Sequence, residues 1–431
     1  MGKSRLIEEF IKEKDAVSVL IVPKEERQIA RDIEREIRSK LGYSPPFTSV
    51  TDAISYLFEK GVELVWIDEF PNLLAANPDV STVLPELLEK YKNKEMLFIV
   101  SGSHAGMMKH TLPNAAINTR TAGKSPPLNH ATATLNLKPL TLRTAIEILN
   151  DLGVDSPQQQ IGFYCIFGGI PYHYKLIEKL ANRSIEGAVS ALFYEFGAQL
   201  CEEGDAILRP AFGSSYARYY AVLEAIGGSS VPLDEISQRV GLKPATLTRY
   251  LNALYTDFRL LGRDLPFNED PSGKGGVYYI KDSMLAFWFS SVYGKRHTPT
   301  KEELDSFIAS RFEIFCREYL SSYLEERGKT VKSAGRWWGQ VELEGGRQER
   351  REINLVIETD KALYLGDCKW ASQKAGGAEL KRLVESSRAL AGTGAAQEKA
   401  VRFVLFSREG FESMASGESL LFDSDMIVKG L

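Results

Sequence analysis

The chain is poor in the residues that build metal centres and covalent cross-links. Its four cysteines, Cys165, Cys201, Cys316 and Cys368, lie far apart and form no C-x-x-C pair. That spacing argues against a zinc site or a disulfide framework and fits reduced thiols in a cytoplasm. Five histidines, His104, His110, His130, His173 and His297, are too scattered for a His-rich metal centre. No run approaches the roughly 20 apolar residues of a membrane span; the best, 284–292, is short and holds two serines. There is no excess of positive charge, with 53 Lys plus Arg against 57 Asp plus Glu and a formal charge of -4. The chain is therefore not a basic nucleic-acid coat, and any DNA contact must come from a local patch. The first residues are charged at once (Lys3, Arg5, Glu8, Glu9), unlike a signal peptide. The expectation is a soluble cytoplasmic protein with no membrane association.

What is present suits a folded protein of several domains. Hydrophobic residues make up 44% and charged residues 26% of 431, too apolar for disorder. At roughly 150 residues per domain, three domains are expected.

The first third alternates helix and strand. Residues 2–12 read as a helix with Leu6, Ile7, Phe10 and Ile11 on one face. AVSVLIV (16–22) is a β-branched apolar run of the kind found in strands buried on both faces. Helices follow at 25–41 and 50–59, separated by Ser44-Pro45-Pro46. ELVWIDEF (63–70) is a strand ending in two carboxylates, a helix spans 80–91, and MLFIV (96–100) runs into Ser101-Gly102-Ser103. This order predicts a parallel sheet covered by helices, with ligands at the carboxyl ends of its strands, where Asp68, Glu69, Ser101 and Ser103 lie.

Gly2-Lys3-Ser4, opening the first helix, matches the last part of the phosphate-binding pattern G-x-x-x-x-G-K-[ST]. In that pattern, backbone N–H groups at a helix N-terminus cradle phosphate, lysine reaches the outer phosphates and the hydroxyl meets Mg²⁺. The tripeptide alone also reads as chance. Paired with ELVWIDEF it gains weight: Asp68 would hold Mg²⁺ through water, and Glu69 would orient and deprotonate the attacking water. The plain alternative for both is a solvated strand end. Ser101 or Ser103 would sense the γ-phosphate, or else simply cap the next helix.

With Val65-Trp66-Ile67-Asp68-Glu69-Phe70, Ser101-Gly102-Ser103, Thr119-Arg120-Thr121 and Gly168-Gly169-Ile170-Pro171-Tyr172 in this order, the chain resembles the archaeal ATPase family. That family is a branch of the AAA+/STAND-like P-loop ATPases with a winged helix and a shared C-terminal domain. The resemblance implies ATP and Mg²⁺ as ligands and makes Gly2, Lys3, Ser4, Asp68 and Glu69 the nucleotide-site residues. Arg120 becomes the candidate for an arginine that completes the site, against a plain surface arginine. The chain departs from the family at the loop, whose first glycine and preceding strand have no counterpart. The expectation is a start codon placed too far downstream or a shortened gene, short by about one to two dozen residues on usual strand and loop lengths.

Residues 135–208 read as helical and resemble the lid of AAA-type ATPases. Thr141 caps a helix through Leu149, and Gly168-Gly169 permits close approach or positive φ. Tyr172 and Tyr174 are expected to pack there. From 216 to 280 the pattern is helix, short helix, glycine turn, helix, then a hairpin with Asp270-Pro271-Ser272-Gly273 at its tip, a winged helix-turn-helix. Lys243, Thr246, Thr248, Arg249 and Asn252 would face double-stranded DNA; alternatively the module packs against protein.

The last part reads as a helix (307–326) and two strands, the second being ALYLGDCKW. It resembles the PD-(D/E)xK nuclease fold. Asp367 and Lys369, two apart in a strand, share a face, and Cys368 points the other way. The acid of the preceding strand falls at Asn354, which is neutral, so Glu352 and Glu313 are the candidates to compensate as metal ligands. The expectation is a domain that does not cut DNA; Asp367 stands with Glu352 as a weak metal-ligand candidate, against a cross-strand ion pair of Asp367 and Lys369 on a relic fold.

The resulting scheme is α/β: a P-loop ATPase sheet lacking its first strand (1–134), a helical lid (135–210), a winged helix-turn-helix (211–295) and a restriction-endonuclease-like domain (296–431). The expected function is a Mg²⁺-dependent ATPase acting as a nucleotide switch, with a protein partner. The alternative is a DNA-binding regulatory or mobile-element-associated protein with relic ATPase and nuclease sites.

Overall fold

The computed structural model describes residues 2–102, 132–267, 269–270, 273, 275–342, 346–391, 399–412 and 419–430. The chain divides into two compact units, Met1–Lys138 with Asp257–Arg259, and Pro139–Thr256 with Leu260–Leu431. Both are mixtures of helix and strand, the α/β character expected from the sequence.

The first unit opens with α1 (Lys3–Ile11) and contains strands β1 (Ala16–Leu20), β2 (Leu64–Asp68) and β3 (Leu97–Val100), ordered β1-β2-β3 and parallel throughout. The alternation of side chains across each strand sorts them between two cores. Val17, Val19, Val65 and Ile67 join a core with α2 (Glu26–Leu41), α3 (Val50–Lys60), α4 (Phe70–Ala76) and α5 (Val80–Lys90). On the other face Ala16, Leu64 and Trp66 meet Ile7 and Ile11 of α1 and Ile99 of β3. Helix α2 presents Ile29, Ile33 and Ile37 at intervals of one turn, which is why so charged a segment still folds onto the sheet. Phe58 and Phe70 are fully buried, each contributing about 1.5–3 kcal/mol. The Ser49 side chain accepts the N–H of Asp52 to start α3.

The second unit begins with helices Leu142–Asp151, Pro157–Phe167 and Pro171–Glu178. The Gly168-Gly169 pair has a packing reason. A Cβ at Gly169 would lie 2.2 Å from the carbonyl oxygen of Leu140, and the Gly169 carbonyl accepts the Leu140 N–H at 2.7 Å. Tyr174 is buried and donates to the Gly168 carbonyl at 2.7 Å, as a packing residue does; Tyr172 is instead exposed.

Helices Tyr216–Ile226, Leu233–Val240 and Pro244–Asn252 accompany a three-stranded antiparallel sheet of β4 (Val231–Pro232), β5 (Leu261–Asp264) and β6 (Val277–Ile280), in the order β4-β6-β5. Leu223, Ile236, Leu247, Leu251, Leu261 and Ile280 are buried. The chain then enters the helix Lys301–Glu326 through a capping box between Thr300 and Glu303.

Five strands follow, β7 (Val331–Glu342), β8 (Gln348–Thr359), β9 (Ala362–Lys369), β10 (Ala400–Ser407) and β11 (Leu420–Asp423), in the order β11-β10-β9-β8-β7. β8 runs antiparallel to both β7 and β9; β10 is parallel to both β9 and β11. The helix Gly377–Ala391 lies between β9 and β10 in sequence. Its Leu383 and Leu390 pack on Ile353, Val356, Leu363, Leu365 and Leu405 of the sheet.

The hairpin of β5 and β6 is tied to these later elements. Arg317 pairs with Asp264 at 2.8 Å, both nearly buried. Arg311, 5% exposed, donates to the carbonyls of Ile280 and Lys281 at 2.7 and 2.8 Å. The Phe267 N–H donates to the Arg336 carbonyl at 2.9 Å, and its ring packs on the core of the five-stranded sheet. Among the described residues no helix is long and apolar enough to cross a membrane.

Candidate functional site

In the first unit, the carboxyl end of β2 gathers the polar residues. Leu64, Trp66 and Asp68 are two apart, so Asp68 points to the face covered by α1. Ile99 lies on that same face, and Ser101, two residues on, points there as well. Gly2, at φ 74, precedes the first turn of α1 and, lacking a side chain, leaves the N–H groups of that turn without a side-chain cap from the N-cap position. That start brings Ser4 to Asp68, whose Oδ2 accepts the Ser4 hydroxyl at 2.7 Å.

The other carboxylate oxygen is held by the sheet. Asp68 Oδ1 accepts the Ser101 hydroxyl at 2.6 Å and the Glu69 N–H at 3.0 Å. Trp66 Nε1 donates to Ser101 Oγ at 2.8 Å. All three side chains are buried, Asp68 at 6% exposure. Glu69 follows with φ 52 and ψ 45, left-handed for a residue other than glycine, a conformation that costs free energy and concentrates at functional sites. Lys3 is partly exposed on the turn that carries Ser4. The structure thus brings Ser4, Asp68 and Ser101 together, with Gly2, Lys3 and Glu69 adjacent in the chain. Ser103 and Arg120 lie outside the described residues.

On the helix Pro244–Asn252 and the residue before it, Lys243, Thr246, Arg249 and Asn252 are exposed. Thr248 is half-buried, its hydroxyl donating to the Pro244 carbonyl one turn back at 2.8 Å. Arg249 lies over the Tyr250 ring at 5.3 Å.

At the five-stranded sheet the acids fall into two groups. Asp367 follows Leu363 and Leu365 in the alternation of β9 and so points to the side of the helix Gly377–Ala391. There Lys369 pairs with Glu379 of that helix, whose other oxygen accepts the Gly376 N–H at 2.8 Å. Burial pushes the Asp367 carboxyl above its ordinary range, against the pull of Arg382 and Lys369. Burial would raise Glu379 too, but Lys369 and the Gly376 N–H outweigh it and hold Glu379 low.

The expected compensating acids sit elsewhere. Ile353 shares the core with Leu363 and Leu365, so Glu352 and Asn354 point to the opposite side. Asn354 lies near Glu313 of the helix Lys301–Glu326. Arg336 bridges the two carboxylates, 2.7 Å from Glu352 and 3.9 Å from Glu313. Glu313 is raised chiefly by burial, and Arg336 and Asn354 oppose that shift. The expected approach of Glu352 to Asp367 is therefore not found. The register shift where β7 passes Gly335 and Trp337 explains it: β8 carries one residue too many there, which reverses which side Asn354 faces. Cys368 is turned from Asp367, as alternation requires, and burial raises its thiol. Among the described residues, no group of three or more His, Cys, Asp or Glu is arranged to hold a metal ion.

Trp66, Arg336 and Glu379 are participants to which the sequence reading gave no role. Trp66 carried a usable signal, two residues before Asp68 on a strand. Arg336 and Glu379 meet their partners only through packing.

Residues 290–380 match the DUF234 family, described as archaea bacterial proteins of unknown function. The chain is 26% identical over 331 residues to the uncharacterized protein MJECL04 of Methanocaldococcus jannaschii, covering 72% of this chain and 68% of that protein. Against the crystal structure of protein VC1899 from Vibrio cholerae, it shows 12% identity and a TM-score of 0.21, covering 96% of this chain and 89% of that one. That score is too low to compare folds. What the similarities establish is a C-terminal match to DUF234 and an archaeal relative.

Proposed function

We propose that the chain binds ATP with Mg²⁺ and hydrolyses it, at a P-loop-type site formed by Gly2, Lys3 and Ser4 with Asp68 and Glu69. The observation that carries the reading is the 2.7 Å contact of Ser4 with Asp68. The two motifs, far apart in sequence, meet as a phosphate-loop hydroxyl and a strand-end carboxylate must.

The donor set suits the ion. Mg²⁺ takes hard oxygen ligands and is held by one or two carboxylates plus substrate phosphates. Ser4 Oγ and Asp68 Oδ2 are such oxygens, and a nucleotide site needs no three-acid cluster. When bound, the ion would offset charge on the phosphates. Lys3 supplies further positive charge beside them. Glu69, at the strand end, is the candidate to orient and deprotonate the attacking water. Ser101 or Ser103 keeps the sensing role given by its place at the strand end, and Arg120 the completing role given by the family resemblance. The test is calorimetric titration of the chain with ATP, with and without Mg²⁺. Saturable binding that Lys3→Ala abolishes supports the reading. Heats that Lys3→Ala leaves unchanged, or no binding at all, would remove it.

A second reading concerns the helix Pro244–Asn252. We read the helices and hairpin around it as a winged helix-turn-helix, and the exposed Lys243, Thr246, Arg249 and Asn252 support contact with duplex DNA. The five-stranded sheet we read as a nuclease-like domain that does not cut DNA, because Lys369 is engaged by Glu379 and Glu352 and Asn354 face away from Asp367.

A further inference from the structure

Ser101 has a single hydroxyl proton, and its direction decides what the residue can do. The backbone around it is fixed from both sides: the Ser101 N–H donates to the Ile67 carbonyl at 3.0 Å, and the Ser101 carbonyl accepts the Phe70 N–H at 2.9 Å. Only rotation about the side-chain bond remains. Trp66, 5% exposed, delivers its indole N–H to Ser101 Oγ at 2.8 Å. The indole has no acceptor, so this contact has one polarity, and Ser101 Oγ must accept. The hydroxyl proton is then directed to Asp68 Oδ1 at 2.6 Å. With the Glu69 N–H on the same oxygen, Oδ1 is occupied, and Oδ2, beside Ser4, is the oxygen left facing the first turn of α1.

We propose that Trp66 is a positioning residue of the nucleotide site: through Ser101 it fixes the Asp68 carboxylate so that Oδ2 faces Ser4 and the metal. This rests on the nucleotide reading above. It also changes the part played by Ser101, which spends its proton on Asp68 and not on the ligand.

Trp66→Phe keeps an aromatic ring in the core but removes the N–H. Losing one hydrogen bond of this kind should weaken Mg²⁺ binding in the presence of ATP about three- to tenfold and leave ATP binding in EDTA unchanged. Ser101→Ala should give a similar loss, and the double variant no further loss. The Trp66 indole N–H resonance, identified by its absence in Trp66→Phe, should shift when Mg²⁺ is added with ATP. Equal Mg²⁺ affinity in Trp66→Phe and the parent chain overturns the proposal, as does an equal loss with and without metal, the sign of a packing defect. If Trp66→Phe fails to fold, Ser101→Ala decides by the same criteria. If the parent chain binds no ATP, the nucleotide reading itself falls, an outcome distinct from these.

Discussion

The hydroxyl of Ser4 donates to Oδ2 of Asp68 at 2.7 Å, joining residues 64 positions apart at the open end of β2. Removing it by Ser4→Ala should cost about 1 kcal/mol, read as a lower urea midpoint for the first unit. The same change should remove the Mg²⁺-dependent part of ATP affinity while leaving the metal-free part. A parallel loss of both parts would make Ser4 a structural residue only.

The Arg317–Asp264 pair predicts a larger effect. Its side chains are 10% and 13% exposed, so Arg317→Ala strands a carboxylate in a poorly solvated place. The expected cost is about 3–5 kcal/mol. Arg317→Met combined with Asp264→Leu should recover most of it, because both charges go together. Chemical denaturation of the single and double variants completes the cycle.

Asp367 gives a pH prediction with a definite sign. Burial raises its carboxyl in the folded chain, so the folded state favours the protonated form. The stability tied to that proton is present below the ordinary aspartate range and lost as pH rises through the raised value. Asp367→Asn should therefore be more stable than the parent chain at neutral pH, the gap closing toward acid. Glu379 runs the other way. It is held low, so its contribution is present above the ordinary glutamate range and lost as pH falls. In the Glu379→Gln chain, stability relative to the parent should be lowest at neutral pH. Thermal melts across pH 3 to 8, roughly the span in which carboxylates titrate, separate the two.

Gly169→Ala should destabilise the second unit by about 1–3 kcal/mol. Its Cβ would meet the Leu140 carbonyl oxygen at 2.2 Å, and backbone cannot rotate away as a long side chain could. A melting temperature equal to the parent's would mean that the 139–140 segment yields freely.

For the DNA reading, Lys243→Ala with Arg249→Ala should weaken duplex binding and lower the slope of log affinity against log salt by about 2, one for each lost phosphate contact. A salt slope untouched by the pair would place the contact surface elsewhere.

Much of the architecture was readable from the sequence because it depends on local pattern. The β-branched runs at 16–20 and 64–68 could hardly be anything but buried parallel strands, and Pro244 marked the start of its helix. The side chains at the end of β2 followed too, since alternation puts Leu64, Trp66 and Asp68 on one face. What the pattern hid were contacts set by register and packing. Asn354 was expected at the place of the preceding strand's acid, but one extra residue in β8 turns it to the side of Glu313. Trp66 looked like core, and it is core; only the position of Ser101 shows that its N–H has a second use. Lys369 invited comparison with a catalytic lysine, and its carboxylate partner comes from a helix ten residues later.

The hairpin of β5 and β6 has a bearing on ancestry. By chain order Asp264 and Phe267 belong with the helices before them, yet Asp264 is matched to Arg317 and Phe267 is seated on the five-stranded sheet. A chimera joined near residue 295, taking each half from a different relative, would separate an acid from its base and a ring from its socket. Descent should therefore have kept the two segments together, as one inherited block with a seam that recombination cannot cut cleanly.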